Sequence, residues 1–109
     1  MLSIRDWSQV PTRQALAPEA LATALAQLPG WQLDGQGADQ AIAKTFCFRN
    51  YFETLAFVNA LALIAHTQDH HPALQVLYNR CTVRWNTHDA QGVSATDLDC
   101  AHRTEGLLA

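Results

Sequence analysis

The feature that most constrains the fold is a change of period at His71-Pro72. Before it, Phe52, Leu55, Ala56, Asn59, Ala60, Leu63 and Ile64 fall on one stripe at helical spacing. Proline lacks an N–H and biases the residue before it away from helical angles. A helix opened near Asn50 therefore runs to about Asp69 and stops. Asn50, with Glu53 at the third position, gives it a capping-box-like start. After the break, Leu74, Val76 and Tyr78 alternate with Gln75 and Leu77. Cys81, Val83 and Trp85 then alternate with Thr82, Arg84 and Asn86. Period two is the mark of a strand, and Asn79-Arg80 is the candidate turn joining the two into a hairpin.

The first half repeats this grammar. Pro18 and Glu19 open a helix that carries Leu21, Ala24, Leu25 and Leu28 on one face and ends at Pro29-Gly30. Residues 31–34 read as a short strand, and Gly35-Gln36-Gly37 as a turn. Ile42, Lys44, Phe46 and Phe48 then alternate with Ala43, Thr45, Cys47 and Arg49. Lys44 stands among apolar positions and needs a sheet edge or a partner. Ser94 and Asp97 form a capping box for a last helix carrying Leu98, Ala101 and His102. The order is α-β-β-α-β-β-α. It predicts one α+β domain, a four-stranded antiparallel sheet with helices packed on one face. Trp31, Tyr78 and Trp85 are expected in the core or on the sheet face. Residues 1–16 show no clear period and are expected to be a tail, with the domain over residues 17–109.

Composition narrows the classes. A chain of 109 residues, 49% hydrophobic, builds one core. Charged residues make up only 16% and the net charge is -3, the opposite of a nucleic-acid surface. The longest apolar stretch, residues 55–65, is broken by Asn59 and falls short of the roughly 20 residues that span a bilayer. The first residues lack the basic start and apolar run of a secretory signal, so a cytoplasmic location is expected. Cys47, Cys81 and Cys100 are widely spaced, with no CxxC pair. Free thiols are expected, and no metal site built on cysteine.

The chemistry concentrates in histidine. Of five histidines, His66, His70, His71 and His88 fall in one short stretch. Histidine both gives and takes a proton near neutral pH. His66 and His70 are four apart near the end of a helix, and the hairpin returns His88 towards His70 and His71. Such a cluster moves protons or holds a metal. A zinc helix is the weaker reading, because HTQDH lacks the glutamate of HExxH.

His66, His70-His71-Pro72, Tyr78, His88 and Asp97, at these spacings, resemble the signature of the pterin-4a-carbinolamine dehydratase family. The runs LPGWQLDG, FCFRNYFETLAFVN and THDAQGVSATD are also similar to it, so the resemblance covers nearly the whole chain from about residue 18. It implies the same α-β-β-α-β-β-α fold. It also implies removal of water from 4a-hydroxytetrahydropterin, a product of aromatic amino-acid hydroxylases, with no metal or organic cofactor. By resemblance, His70, His71 and His88 are catalytic. His71 and His88 handle the leaving hydroxyl, and His70 assists. Asp69, His70, His71, Asn86, Thr87, His88 and Asp89 line the pterin pocket. Asp97 orients a histidine. Two positions depart from the family pattern: His66 stands where many members carry Glu or Asp, and Ala73-Leu74 where an aromatic residue is frequent. The resemblance further implies self-association, as tetramer or dimer, and a hydroxylase system as context. The alternative is a non-catalytic assembly or dimerisation factor of the same fold.

Overall fold

The computed structural model describes residues 14–108. Helix α1 (Pro18–Leu25) leads to β1 (Gln32–Asp34), a 3-10 turn (Gly37–Asp39) and β2 (Ala41–Cys47). Helix α2 (Tyr51–Gln68), the hairpin β3 (Ala73–Val76) and β4 (Arg80–Trp85), a second 3-10 turn (His88–Ala90) and α3 (Ala95–Gly106) follow. The α-β-β-α-β-β-α order is as expected. The sheet is antiparallel throughout, in the order β1-β2-β4-β3, with the second hairpin's β4 at its centre beside β2. The tail expected over residues 1–16 lies, up to residue 13, outside the described residues. Ala15 bridges Ser94, and Leu16 N–H donates to Val93 O at 2.8 Å.

Register explains the two faces of the sheet. Ile42 pairs with Trp85 and Phe46 with Cys81, and Val83 lies between. All of these are buried against the helices. Ala43 pairs with Arg84 and Thr45 with Thr82 on the opposite face. Lys44 sits on the buried face but finds partners: its Nζ reaches Glu105 Oε2 at 2.7 Å and Pro29 O at 3.1 Å. Trp31 Nε1 donates to the same Glu105 oxygen, which ties α3 across the first hairpin. Gly30, at φ +87, gives that lysine room, since a Cβ there would meet its Cε at 2.9 Å.

The structure decides which face of α2 is buried and corrects the position of the hairpin turn. The stripe from Phe52 to Ile64 is not the core face. Thr54, Phe57, Leu61 and Gln68 are buried, while Phe52 is 81% and Leu63 70% exposed. Apolar residues occupy most of the circumference of α2, so periodicity does not select one face. The sheet does, by packing Phe57 against Phe46 and Phe48, with centroids 4.9 and 5.1 Å apart. Thr54 is tolerated there because its hydroxyl donates to the backbone at Asn50 O or Tyr78 O. The hairpin turn lies one residue earlier than expected. Leu77 N–H donates to Arg80 O, leaving Tyr78-Asn79 at the tip. Tyr78 is consequently exposed and stacks on Tyr51, whereas Trp31 and Trp85 are buried as expected.

The caps follow sequence closely. Asn50 Oδ1 accepts from Glu53 N–H at 2.9 Å. The carboxyl of Glu53 reaches back one residue further than a strict box, to Arg49 N–H. Ser94 and Asp97 form the full reciprocal box at α3.

Candidate active site

The end of α2 sets the first histidine. Asp69 takes the left-handed conformation, φ 49 and ψ 47. Its N–H returns to His66 O at 3.3 Å, and His70 N–H returns to Ala65 O at 3.0 Å, the pattern of a Schellman cap. Aspartate tolerates this conformation better than most side chains. The turn directs His70 off the helix and inward. His66 remains on α2, exposed to solvent, so the two histidines do not share a helical face as their spacing predicted. That removes the geometry of a zinc helix. Among the described residues no cluster of three His, Cys, Asp or Glu side chains is arranged to hold a metal ion.

The His70 side chain is 9% exposed, and its Nε2 lies 2.6 Å from Asp97 Oδ1. Its ring stacks on Trp85 at 5.6 Å and 20°. Asp97 is fully buried, in the first turn of α3. Its other oxygen accepts from Thr87 Oγ1 at 2.7 Å and from Ser94 N–H at 2.9 Å. With hydroxyl and amide donors converging on it, Asp97 acts as an acceptor, and His70 donates to it from Nε2.

His71 leaves the cap towards Pro72 and β3, and its side chain is exposed. His88 opens the 3-10 turn after β4; its side chain is 75% exposed, with Nδ1 4.0 Å from Asp39 Oδ1. Between these elements lies an open cleft of about 770 Å³. Asp69, His70, His71, Asn86, Thr87, His88 and Asp89, the residues expected in the pocket, all line it. His66 and Asp97 do not: the first is outside on α2, the second lies behind His70. Leu74 is also absent from the lining; Ala73 is the β3 residue that contributes.

Arg84 lines the cleft as well, and sequence reasoning missed it. It shares the sheet face of Asn86 by simple alternation, so a cleft at Asn86 implied it. Its Nε donates to Asp34 Oδ2 at 2.6 Å, and Nη2 donates to Asp34 O and Asp39 O at 3.3 and 3.2 Å. Asn86 Nδ2 donates to Ala38 O and Gln40 O at 2.9 and 2.6 Å. Together they clamp the β1–β2 connection to β4 and carry Asp39 to His88. With its N–H groups committed to backbone, Asn86 has its amide oxygen left to offer a ligand.

The cleft is thus lined by the imidazoles of His70, His71 and His88, with carboxylates at Asp69 and Asp89 and a guanidinium at Arg84. Residues 14–107 match the family described as pterin 4 alpha carbinolamine dehydratase.

The chain belongs to the pterin-4a-carbinolamine dehydratase family.

A relative from Paracidovorax citrulli, provisionally named a pterin-4-alpha-carbinolamine dehydratase, is 57% identical over 109 residues, covering 100% of this chain and 93% of its own. Provisionally named dehydratases from Stenotrophomonas maltophilia and Bdellovibrio bacteriovorus are 52% and 48% identical, covering 84% and 89% of this chain and 78% and 81% of theirs. The crystal structure of a transcriptional coactivator/pterin dehydratase from Brucella melitensis superposes with a TM-score of 0.81 at 30% identity, over 88% of this chain and 100% of that one. A pterin dehydratase-like RuBisCO assembly factor of the alpha-carboxysome shares the fold, at TM-score 0.61 and 22% identity, over 72% of this chain and 88% of that one. Dehydratase-family membership accounts for the α+β architecture. No helix among the described residues is long and apolar enough to cross a membrane.

Proposed function

We propose that this chain removes water from 4a-hydroxytetrahydrobiopterin, giving quinonoid dihydrobiopterin, by histidine acid–base catalysis in pterin recycling. The observation that carries the reading is the convergence of His70, His71 and His88 on one cleft, with His70 held by a buried carboxylate. The reaction breaks the C4a–O bond and removes the N5 proton. Hydroxide leaves poorly, so an acid must deliver a proton to the departing oxygen, and a base must take the one from N5. A positioned acid or base supplies roughly 10²–10⁴-fold each. His71 and His88 serve the leaving hydroxyl, and His70 assists from its Asp97-oriented ring. Proton count is conserved: one delivered to the hydroxyl, one collected from N5, with water as the second product. Asp69 and Asp89 suit the N–H groups of the pterin ring, and Asn86 contributes its amide oxygen.

Self-association belongs to the same proposal. Phe52 and Leu63 are exposed on α2, and an apolar groove of about 320 Å³ lies between α2 and the end of α3. A second copy of the chain covers this face, in a dimer or tetramer. An aromatic amino-acid hydroxylase system is the proposed source of the substrate.

The deciding experiment generates 4a-hydroxytetrahydropterin in situ with a hydroxylase and follows its absorbance decay. The chain accelerates the decay, and His71→Ala lowers turnover at least tenfold while leaving the fold intact. No acceleration by folded wild-type protein would refute the enzyme and favour a non-catalytic assembly factor of the same fold.

A further inference from the structure

Thr87 lines the cleft, yet it is only 4% exposed and its hydroxyl is engaged by Asp97 and Ser94. The Thr87 oxygen lies 2.7 Å from Asp97 Oδ2 and 2.6 Å from Ser94 Oγ. One hydroxyl has one proton, so the directions resolve. Asp97 only accepts, so Thr87 donates to it, and Ser94 donates to Thr87. Ser94 Oγ in turn accepts from the Asp97 backbone N–H in the capping box, while Ser94 N–H donates to Asp97 Oδ2. The three residues close a ring of hydrogen bonds, none more than 4% exposed.

The ring joins two parts of the cleft. Asp97 Oδ1 holds His70. Thr87 is the base of the loop that carries His88. Its N–H donates to Gly92 O at 3.0 Å, its carbonyl accepts from Ala90 and Gly92, and residues 88–91 hang from that bridge. Gln91 closes the loop at φ 62. No side-chain hydrogen bond caps the 3-10 turn itself. The Thr87 hydroxyl is the bond that pins this base to the carboxylate beneath His70.

We infer that Thr87 is a positioning residue, its hydroxyl tying the His88 loop to the Asp97 carboxylate that holds His70, so that one buried group sets both imidazoles. The inference rests on the dehydratase reading above. It assigns the Thr87 side chain to orientation of the catalytic histidines rather than to contact with the pterin. Valine matches threonine in shape but lacks the hydroxyl. In Thr87→Val, Asp97 loses its 2.7 Å donor and the Ser94 hydroxyl loses its 2.6 Å acceptor, keeping only Asp97 Oδ2 at 3.4 Å, while the cleft keeps its lining.

The test measures kcat and KM for wild type, Thr87→Val and Thr87→Ser, normalised to folded protein, together with imidazole ¹⁵N spectra. Misplacement of reacting groups by about 1 Å costs on the order of 10²-fold. The expected result is a fall in kcat of at least tenfold in Thr87→Val with KM changed less than threefold. Recovery of kcat to within threefold in Thr87→Ser is expected, with both His70 and His88 resonances shifted in Thr87→Val. Should Thr87→Val fail to fold, Thr87→Ala takes its place with the same expectations. An active wild type with unaltered kcat in the hydroxyl-free variant would overturn the inference. So would a rise in KM alone, or a shift of only one histidine. Absence of turnover in wild type would instead strike the dehydratase reading.

Discussion

Asp97→Asn isolates the electrostatics of the site, because it changes no volume. In the wild-type chain the carboxylate meets His70 Nε2 on Oδ1 at 2.6 Å. Thr87 Oγ1 at 2.7 Å and Ser94 N–H at 2.9 Å meet Oδ2. An amide has one acceptor oxygen. The side with two close donors takes it, which turns the new NH₂ on His70 Nε2. If His70 keeps its proton on Nε2, two donors face each other in a site of 0% exposure, a cost of about 1–3 kcal/mol. If the ring moves its proton to Nδ1, that cost is relieved and the tautomer is reversed. The cap of α3 meanwhile exchanges an anionic acceptor for a neutral one, a further loss of about 0.5–1 kcal/mol. With the proton kept on Nε2 the sum is about 1.5–4 kcal/mol, a large share of the roughly 5–15 kcal/mol of an ordinary domain; with it on Nδ1 only the cap loss of about 0.5–1 kcal/mol remains. At about 4–8 °C per kcal/mol for a small domain, Tm falls by at least about 6 °C in the first case and by at least about 2 °C in the second. Below the melt, kcat falls by roughly 10²–10⁴, since the wrong tautomer at an oriented histidine is costly. Thermal denaturation followed by near-UV circular dichroism gives the first quantity, the dehydration assay the second, and ¹⁵N spectra of His70 the tautomer. A Tm within about 1 °C and a kcat within twofold of wild type would refute the assignment of Asp97 as the anion holding His70.

Other parts of the structure are open to equally direct measurement. Phe57→Ala removes a ring packed between Phe46 and Phe48 and should cost about 3–5 kcal/mol in urea unfolding; a loss below about 0.5 kcal/mol would return the core face of α2 to the Phe52 stripe. Of the cysteines, Cys47 is exposed, while Cys81 and Cys100 are buried, and burial pushes the Cys81 thiol up from its ordinary range. A disulfide reagent should therefore modify Cys47 promptly in the native protein and Cys81 only on unfolding; prompt native reaction at Cys81 would contradict its burial.

Much of the site was legible because its signals are local. The cap at Asn50 and the box at Ser94–Asp97 each depend on residues three apart, and both form. Pro72 stops the helical pattern, and the chain leaves α2 by Asp69, as expected. The hairpin that returns His88 towards His70 follows from two alternating runs with a short turn. The two readings of Asp97, helix cap and histidine orienter, are not alternatives: each carboxylate oxygen takes one role. Misreadings occurred where the answer is not local. Asn79-Arg80 looked like the turn, but neither residue carries a positive-φ preference strong enough to fix the register, and the pairing of β3 with β4 centres the turn on Tyr78-Asn79. His66 and His70 looked like neighbours on one face until the left-handed Asp69 swung His70 inward.

The amino-acid sequence by itself determined the order of elements, both ends of α2, the start of α3 and the gathering of histidines around His71-Pro72. Periodicity, caps and proline act within a few residues, so no distant partner is needed to express them. Only the tertiary structure decided which face of α2 is buried, because apolar residues surround that helix and the sheet's aromatic side chains select Phe57 over Phe52. It alone brought Asp97 beneath His70 across 27 residues, and Arg84 to Asp34 across 50. Such pairs depend on sheet register and on how α3 packs, which are settled by the burial of the whole core and not by any window of sequence.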